Sequence, residues 1–145
     1  EVVIFGMGRL GQSVYRALSQ RLGPGVMGIE TDREKVEMLE SQGMNVIHGD
    51  ATDSDFWQRA GRPSASLRAV LLAMPDHDAN MYALEQIRAA EFVGHVAALA
   101  RYPDEIPVLR EAGADVAFDV YGEAGAGFAR DIAERLEREG IDTAA

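Results

Sequence analysis

The 145-residue sequence predicts an α/β domain built on one parallel, doubly wound sheet. Three observations predict it. Short apolar runs alternate with helical patterns along the whole chain. The first run flows directly into a Gly-x-Gly-x-x-Gly turn. The second run ends in an acid roughly 20 residues beyond the last of those glycines.

Val2-Val3-Ile4-Phe5 lies within a strand expected over 1–5, and the helix that follows, 9–22, repeats apolar residues at Leu10, Val14, Ala17, Leu18 and Leu22. Gly23-Pro24-Gly25 stops that helix before a second strand over 25–30. A helix at 33–42 and a strand at 45–48 follow, then a helix at 53–60 for which Thr52 or Asp53 is the expected cap. The run Ala69-Val70-Leu71-Leu72-Ala73-Met74 is apolar at every position, as a strand covered on both faces must be, so a fourth strand is expected over 69–74. Helices at 78–92, 104–112 and 122–139 alternate with strands at 95–100 and 115–119. Right-handed crossovers with a switch after the third strand give the order 3-2-1-4-5-6, the Rossmann-like arrangement. The six units occupy the chain as a single domain, 1–145, without solenoid repeat, linker or low-complexity segment.

Acids outnumber bases by ten, for a formal net charge of −10, which argues against a nucleic-acid partner, because such binding rests on neutralising phosphates. There is no cysteine, and so no disulfide, thiolate metal site or thiol chemistry. No apolar run approaches the roughly 20 residues that cross a bilayer. The chain starts at Glu1 almost inside its first strand, as a piece cut from a longer protein would, with the missing part upstream.

The turn Gly6-Met7-Gly8-Arg9-Leu10-Gly11 has the form that cradles a pyrophosphate. Gly6 allows the tight turn, Gly8 the approach of phosphate to the backbone, and Gly11 the close packing of helix on strand. The helix N-terminus adds free N–H groups and the positive end of a dipole. Arg9 is either a phosphate contact or a solvated side chain. Glu30, with Thr31 beside it, closes the second strand where a carboxylate accepts both ribose hydroxyls and repels a 2′-phosphate. NAD(H) or AMP is therefore expected over NADP. Past the third strand, Asp50 and Ala51 are candidates for the adenine or ribose, or else part of the next helix cap. Met74, ending the fourth run, lies where the distal half of a dinucleotide would sit, although a loop that merely starts a helix accounts for it equally well.

Catalytic signatures are missing. Tyr15, Tyr82, Tyr102 and Tyr121 are followed four residues on by Ser19, Gln86, Ile106 and Gly125, not by the lysine a short-chain reductase uses. His48, His77 and His95 stand singly near strand ends without metal-ligand spacing. Binding without turnover is the expectation. The cofactor half of an NAD-dependent dehydrogenase is the alternative.

The motif order GMGRLGQS, GIETDREKVEMLESQGMNVIHGDATD, AVLLAMPDHDAN and GADVAFDVYGEAGAGFA resembles the RCK-N (TrkA-N, KTN) domain over nearly the whole chain, and most of all the C-terminal domain of Kef-type potassium-efflux antiporters. The resemblance implies a regulatory nucleotide site that gates a potassium/proton antiporter rather than an enzyme. Its ligand would be NAD(H) or AMP, its state a homodimer, and its place the cytoplasmic face of the inner membrane, joined to an upstream transport domain. A standalone TrkA-like subunit is the variant of that picture. The resemblance also implies that Gly6, Gly8, Arg9 and Gly11 hold phosphate, that Glu30 holds ribose, and that Arg16 and Arg101 meet a glutathione anion. Leu99 stands where Kef-type members can carry a further arginine.

Overall fold

The computed structural model describes residues 1–140. Six parallel strands, β1 (Val2–Phe5), β2 (Val26–Glu30), β3 (Val46–His48), β4 (Ala69–Leu72), β5 (His95–Ala100) and β6 (Val116–Asp119), form one sheet in the order β3-β2-β1-β4-β5-β6. Between and after them run α1 (Arg9–Leu22), α2 (Arg33–Ser41), α3 (Ser54–Ala60), α4 (His77–Ala89), α5 (Glu105–Glu111) and α6 (Val120–Arg138). The predicted class and strand order are those observed. β1 pairs with β2 on one side and β4 on the other, Phe5 standing opposite both Ile29 and Leu72, so the chain reverses its direction of winding beside β1. A crevice opens there at the carboxyl ends of the strands.

Three boundaries differ from the sequence expectation by two or more residues, each for a local reason. β4 ends at Leu72 and not at Met74: Ala73 still donates to Phe5 O at 2.8 Å, but both backbone groups of Met74 are taken by the Asn80 side chain. α4 stops at Ala89 instead of continuing to 92, because Glu91 adopts a left-handed φ of 62° and returns Phe92 to the core. α6 begins at Val120, directly on β6, since Asp119 Oδ1 accepts the Gly122 amide at 3.0 Å and caps it there.

The alternating faces of the strands fill two cores. Ile4, Val26 and Val46 meet Val36 and Leu39 of α2 and the buried Met7, with Val14 and Leu18 of α1 packed against them. Phe5, Val70, Leu72, Val96 and Ala98 meet Leu84 and Ile87 of α4, Leu109 of α5 and Phe92. Burying one such aliphatic side chain contributes about 1.5–3 kcal/mol. Coverage is uneven. Leu71, Ala97, Leu99, Val116 and Phe118 line an apolar trough with Leu10 and Val14, and α6 buries none of its residues.

The glycine turn is held by close approach. A methyl group at Gly11 would overlap the carbonyl oxygen of Gly6, whereas one at Gly8 would meet nothing within 4 Å. Gly11→Ala is therefore expected to lower unfolding free energy by about 3 kcal/mol, and Gly8→Ala by less than about 1 kcal/mol. Urea denaturation of the two variants measures the contrast; equal losses would contradict it.

Candidate functional site

Every feature of the site follows from how the turn after β1 is pinned. Gly6 has φ +96°, a left-handed conformation suited to glycine, and its missing side chain leaves room for the Ala73 carbonyl, which a Cβ would approach to 2.9 Å. Gly6 donates to Ile29 O at 2.9 Å. Met7 points inward, fully buried, over the bare face of Gly28, where a Cβ would lie 2.6 Å from its sulfur. The Met7 amide donates to Glu30 Oε1 at 3.1 Å, and its carbonyl accepts from Gln12 Nε2 at 2.9 Å. Of the six residues in the predicted cradle, Met7 is thus the one committed to holding the turn, with neither its side chain nor its amide facing a ligand.

Glu30 is 7% exposed, and its carboxylate is well supplied with donors. Oε2 accepts the Asp32 amide at 2.9 Å and the Thr31 hydroxyl at 3.2 Å, while Lys35 Nζ lies 3.8 Å from Oε1. Burying a carboxylate is tolerated when its oxygens are bonded in this way. α1 then starts at Gly8 with no side-chain cap, so its first amides and the positive end of its dipole face outward.

Two clefts meet at this helix end. The first, about 310 Å3, lies over β1 and β2 and is lined by Gly6, Gly8, Glu30, Thr31, Asp32, Lys35, Gly49 and Ala51 among others. The second, about 260 Å3, lies across the switch point and is lined by Gly8, Arg9, Leu10, Gly11, His77, Asn80, Leu99, Arg101, Glu105 and Tyr121 among others. Gly8, Met74 and Pro75 border both and join them. Their charges differ. The first carries the carboxylates of Glu30 and Asp32 beside one lysine; the second carries Arg9, Arg101 and His77 against Glu105.

Among the predicted site residues, Gly6, Gly8, Arg9, Leu10, Gly11, Glu30, Thr31, Ala51, Met74 and Arg101 line one or both clefts. Asp50 lines neither. Its Oδ1 accepts the Thr52 hydroxyl at 2.6 Å and the Thr52 amide at 2.8 Å, closing the turn before α3. The Thr52 hydroxyl first, then the Thr52 amide and the charge of His48, hold the Asp50 carboxyl below the usual range against a smaller opposing effect of burial. Arg16 is exposed on α1, outside both clefts.

Sequence reasoning gave no site role to Lys35, Asn80 or Glu105. Asn80 is 2% exposed and binds Met74 twice, through Oδ1 to its amide and Nδ2 to its carbonyl. Glu105 Oε1 accepts the amides of Arg101 at 2.8 Å and Tyr102 at 3.3 Å and so shapes the loop that carries Arg101. The available signal for both was an amide-bonding residue at the start of a helix beside the switch point. Among the described residues no three His, Cys, Asp or Glu side chains are grouped to hold a metal, and no helix is long and apolar enough to cross a membrane.

Comparison with known proteins gives concordant results. The chain is 33% identical over 116 residues to the glutathione-regulated potassium-efflux system protein KefC of Escherichia coli O157:H7, covering 79% of this chain and 18% of that protein. It therefore spans about a fifth of the length of the curated relatives it matches. The fold is that of the NAD(P)-binding domain of an exopolyphosphatase-related protein from Archaeoglobus fulgidus (TM-score 0.81, 24% identity, 92% of this chain and 98% of that one). It is also that of the Shewanella denitrificans Kef CTD in an AMP-bound form (TM-score 0.73, 19% identity, 93% and 80%). The TrkA-N domain model matches residues 2–119, and the chain belongs to that family.

Proposed function

We propose that this domain binds an adenine nucleotide, NAD(H) or AMP, and conveys its occupancy to a potassium/proton antiporter domain on whose cytoplasmic face it sits. The observation that carries the binding reading is the uncapped start of α1, open between two clefts, with the bonded carboxylate of Glu30 at the mouth of one. A phosphate at Gly8 receives the helix amides without meeting a side chain. Adenosine then extends toward Glu30, Thr31 and Ala51, and anything beyond the phosphate extends toward Arg9, Met74 and Arg101. AMP fills the first direction and NAD(H) both. The AMP in the Kef CTD structure and the NAD(P) site of the Archaeoglobus fulgidus domain support these two ligands, and similarity to KefC supports the transport context.

The regulatory role rests on what surrounds the cleft. In this reading the site holds its ligand rather than transforming it, which the similarity to KefC supports. A ligand biases a transporter only by binding two arrangements with different affinity. Of the two arginines assigned to a glutathione anion, Arg101 lines the second cleft, so within one chain glutathione would be met on that side alone.

The same domain is proposed to act as a homodimer. α6 carries Tyr121, Phe128 and Ile132 on a 3.6-residue period, 67%, 82% and 53% exposed, and the sheet beneath β4, β5 and β6 keeps its apolar trough. Two such surfaces on one chain are mutually satisfied by a second copy.

Three measurements test this. In calorimetric titration, AMP and NADH bind, and Gly8→Val, at a position where a Cβ meets nothing within 4 Å, weakens both by at least about tenfold; unchanged affinity would remove the phosphate from Gly8. NADPH binds at least about tenfold more weakly than NADH, because Glu30 opposes a 2′-phosphate; equal affinity overturns that role. By sedimentation velocity the wild type is dimeric and Phe128→Glu/Ile132→Glu monomeric, and a wild type that stays monomeric at all concentrations refutes the dimer. In vesicles containing the full-length parent protein, potassium flux that ignores nucleotide defeats the regulatory assignment.

A further inference from the structure

The second cleft holds an ionisable pair that adenosine recognition does not use. His77 is the first residue of α4, and its Nδ1 is buried without a hydrogen-bond partner among the described residues. That nitrogen lies 3.5 Å from Glu105 Oε2, the two side chains being 26% and 16% exposed. Glu105 cannot follow the ring, because its other oxygen holds the amides of Arg101 and Tyr102 at 2.8 and 3.3 Å. A carboxylate fixed in place therefore faces an imidazole nitrogen that lacks a bonded proton partner. An imidazolium there lies 3.5 Å from the Glu105 carboxylate and adds a third positive group to a cleft lined by Arg9 and Arg101.

The other charged groups around the ring do not cancel this. On its own helix, Asp76 Oδ1 is engaged by the Asp78 amide at 3.0 Å, and Asp78 is exposed. From α1 comes Arg9, from the β5–α5 loop Arg101, from α5 Glu105, and from α6 the neutral Tyr121. Neutral imidazole leaves two arginines opposite one carboxylate; imidazolium tips the cleft further toward anions.

Resting on the nucleotide-binding reading above, we propose that His77 is a specificity-determining residue of the second cleft: charged, it favours a ligand whose second phosphate enters that cleft, and neutral, it gives such a ligand no advantage over a mononucleotide held in the first cleft alone. Histidine changes charge between about pH 5 and 8, so the choice between dinucleotide and mononucleotide becomes pH-dependent. Linkage makes the effect reciprocal: an anion in the cleft favours protonation, and protonation favours the anion to the same factor. The sign is fixed. Dinucleotide affinity is highest where the imidazole is charged and falls as pH rises across the range in which histidines lose their charge.

The test uses ADP-ribose, which has two phosphates that do not titrate in this range and no nicotinamide charge. Its affinity for the wild-type domain is expected to rise about three- to tenfold from pH 8 to pH 6. His77→Gln flattens the profile. A flat wild-type profile, or the same slope in His77→Gln, overturns the role of His77; the latter places the slope elsewhere, for instance at His48 beside Asp50. AMP titrated against the wild type at pH 8 reports separately on the nucleotide site, and its failure overturns the binding reading instead. Should His77→Gln lose its cooperative melting transition, His77→Lys replaces it. A fixed cation gives tight, pH-independent ADP-ribose binding, and a retained wild-type slope overturns the proposal.

Discussion

The hydrogen bond from the Met7 amide to the buried Glu30 carboxylate is the contact on which the site depends. It joins residues 23 apart in sequence and ties the end of β2 to the middle of the glycine turn. Without an acceptor, the Met7 amide would be a buried donor costing about 1–3 kcal/mol. Without that amide, Glu30 Oε1 would keep only Lys35 at 3.8 Å, while Oε2 stays bonded to Thr31 and Asp32. Each therefore stabilises the other, and the result is a turn whose remaining backbone faces the cleft. The carboxylate is also set in place before any ligand arrives. A ribose hydroxyl meeting it donates to an oriented acceptor, so little ordering is left to oppose binding.

The treatment of helix ends reinforces this division between structure and site. Asp32, Asp53, Asp76 and Asp119 each accept backbone amides at the starts of α2, α3, α4 and α6. α1, with Gly8 at its N-cap position, has no such side-chain cap, and neither has the seven-residue α5; α1 is 14 residues long and its dipole is fully developed. Replacing a cap residue by one without an acceptor costs about 1 kcal/mol, so an uncapped helix at a sheet switch point is a small, localised loss of stability. An anion at Gly8 supplies the missing acceptor. The same physics that leaves the helix incomplete is what the proposed phosphate site uses.

What the sequence made legible were demands that backbone geometry places on residue type. Gly6 and Gly11 are glycines because of a positive φ and a near-overlap between a helix and the preceding turn, and those demands show as spacing. Glu30 was legible for the same reason, through its distance from the turn. The continuous apolar strands gave the sheet order. The direction in which Met7 and Asp50 point was not legible, because an amide or carboxylate bonded inward has the same letter as one facing a ligand. The end of β4 was misplaced because Ala73-Met74 is as apolar as the strand, and only the distant Asn80 removes Met74 from the ladder. Glu105 was hidden likewise: its partners are amides whose position depends on the β5–α5 turn.

The placement of the trough gives the ligand and the interface a shared boundary. Leu10 and Leu99 line both the second cleft and the apolar trough beside β4, β5 and β6. A molecule seated between Arg9 and Arg101 thus lies against the opposite edges of side chains that a covering partner would pack upon. Close-packed apolar contacts respond to displacements of a fraction of an ångström, since dispersion is lost steeply with separation. Coupling between the two surfaces then needs no long path through the domain: one helix turn, from Leu10 to Val14, borders cleft and trough in succession. In the proposed binding mode AMP ends at Gly8, short of Leu10 and Leu99, whereas a dinucleotide extends toward them. Under that proposal two ligands sharing one adenosine pocket differ in what they transmit, and His77, which lines the same cleft, is the proposed group that acts on the difference.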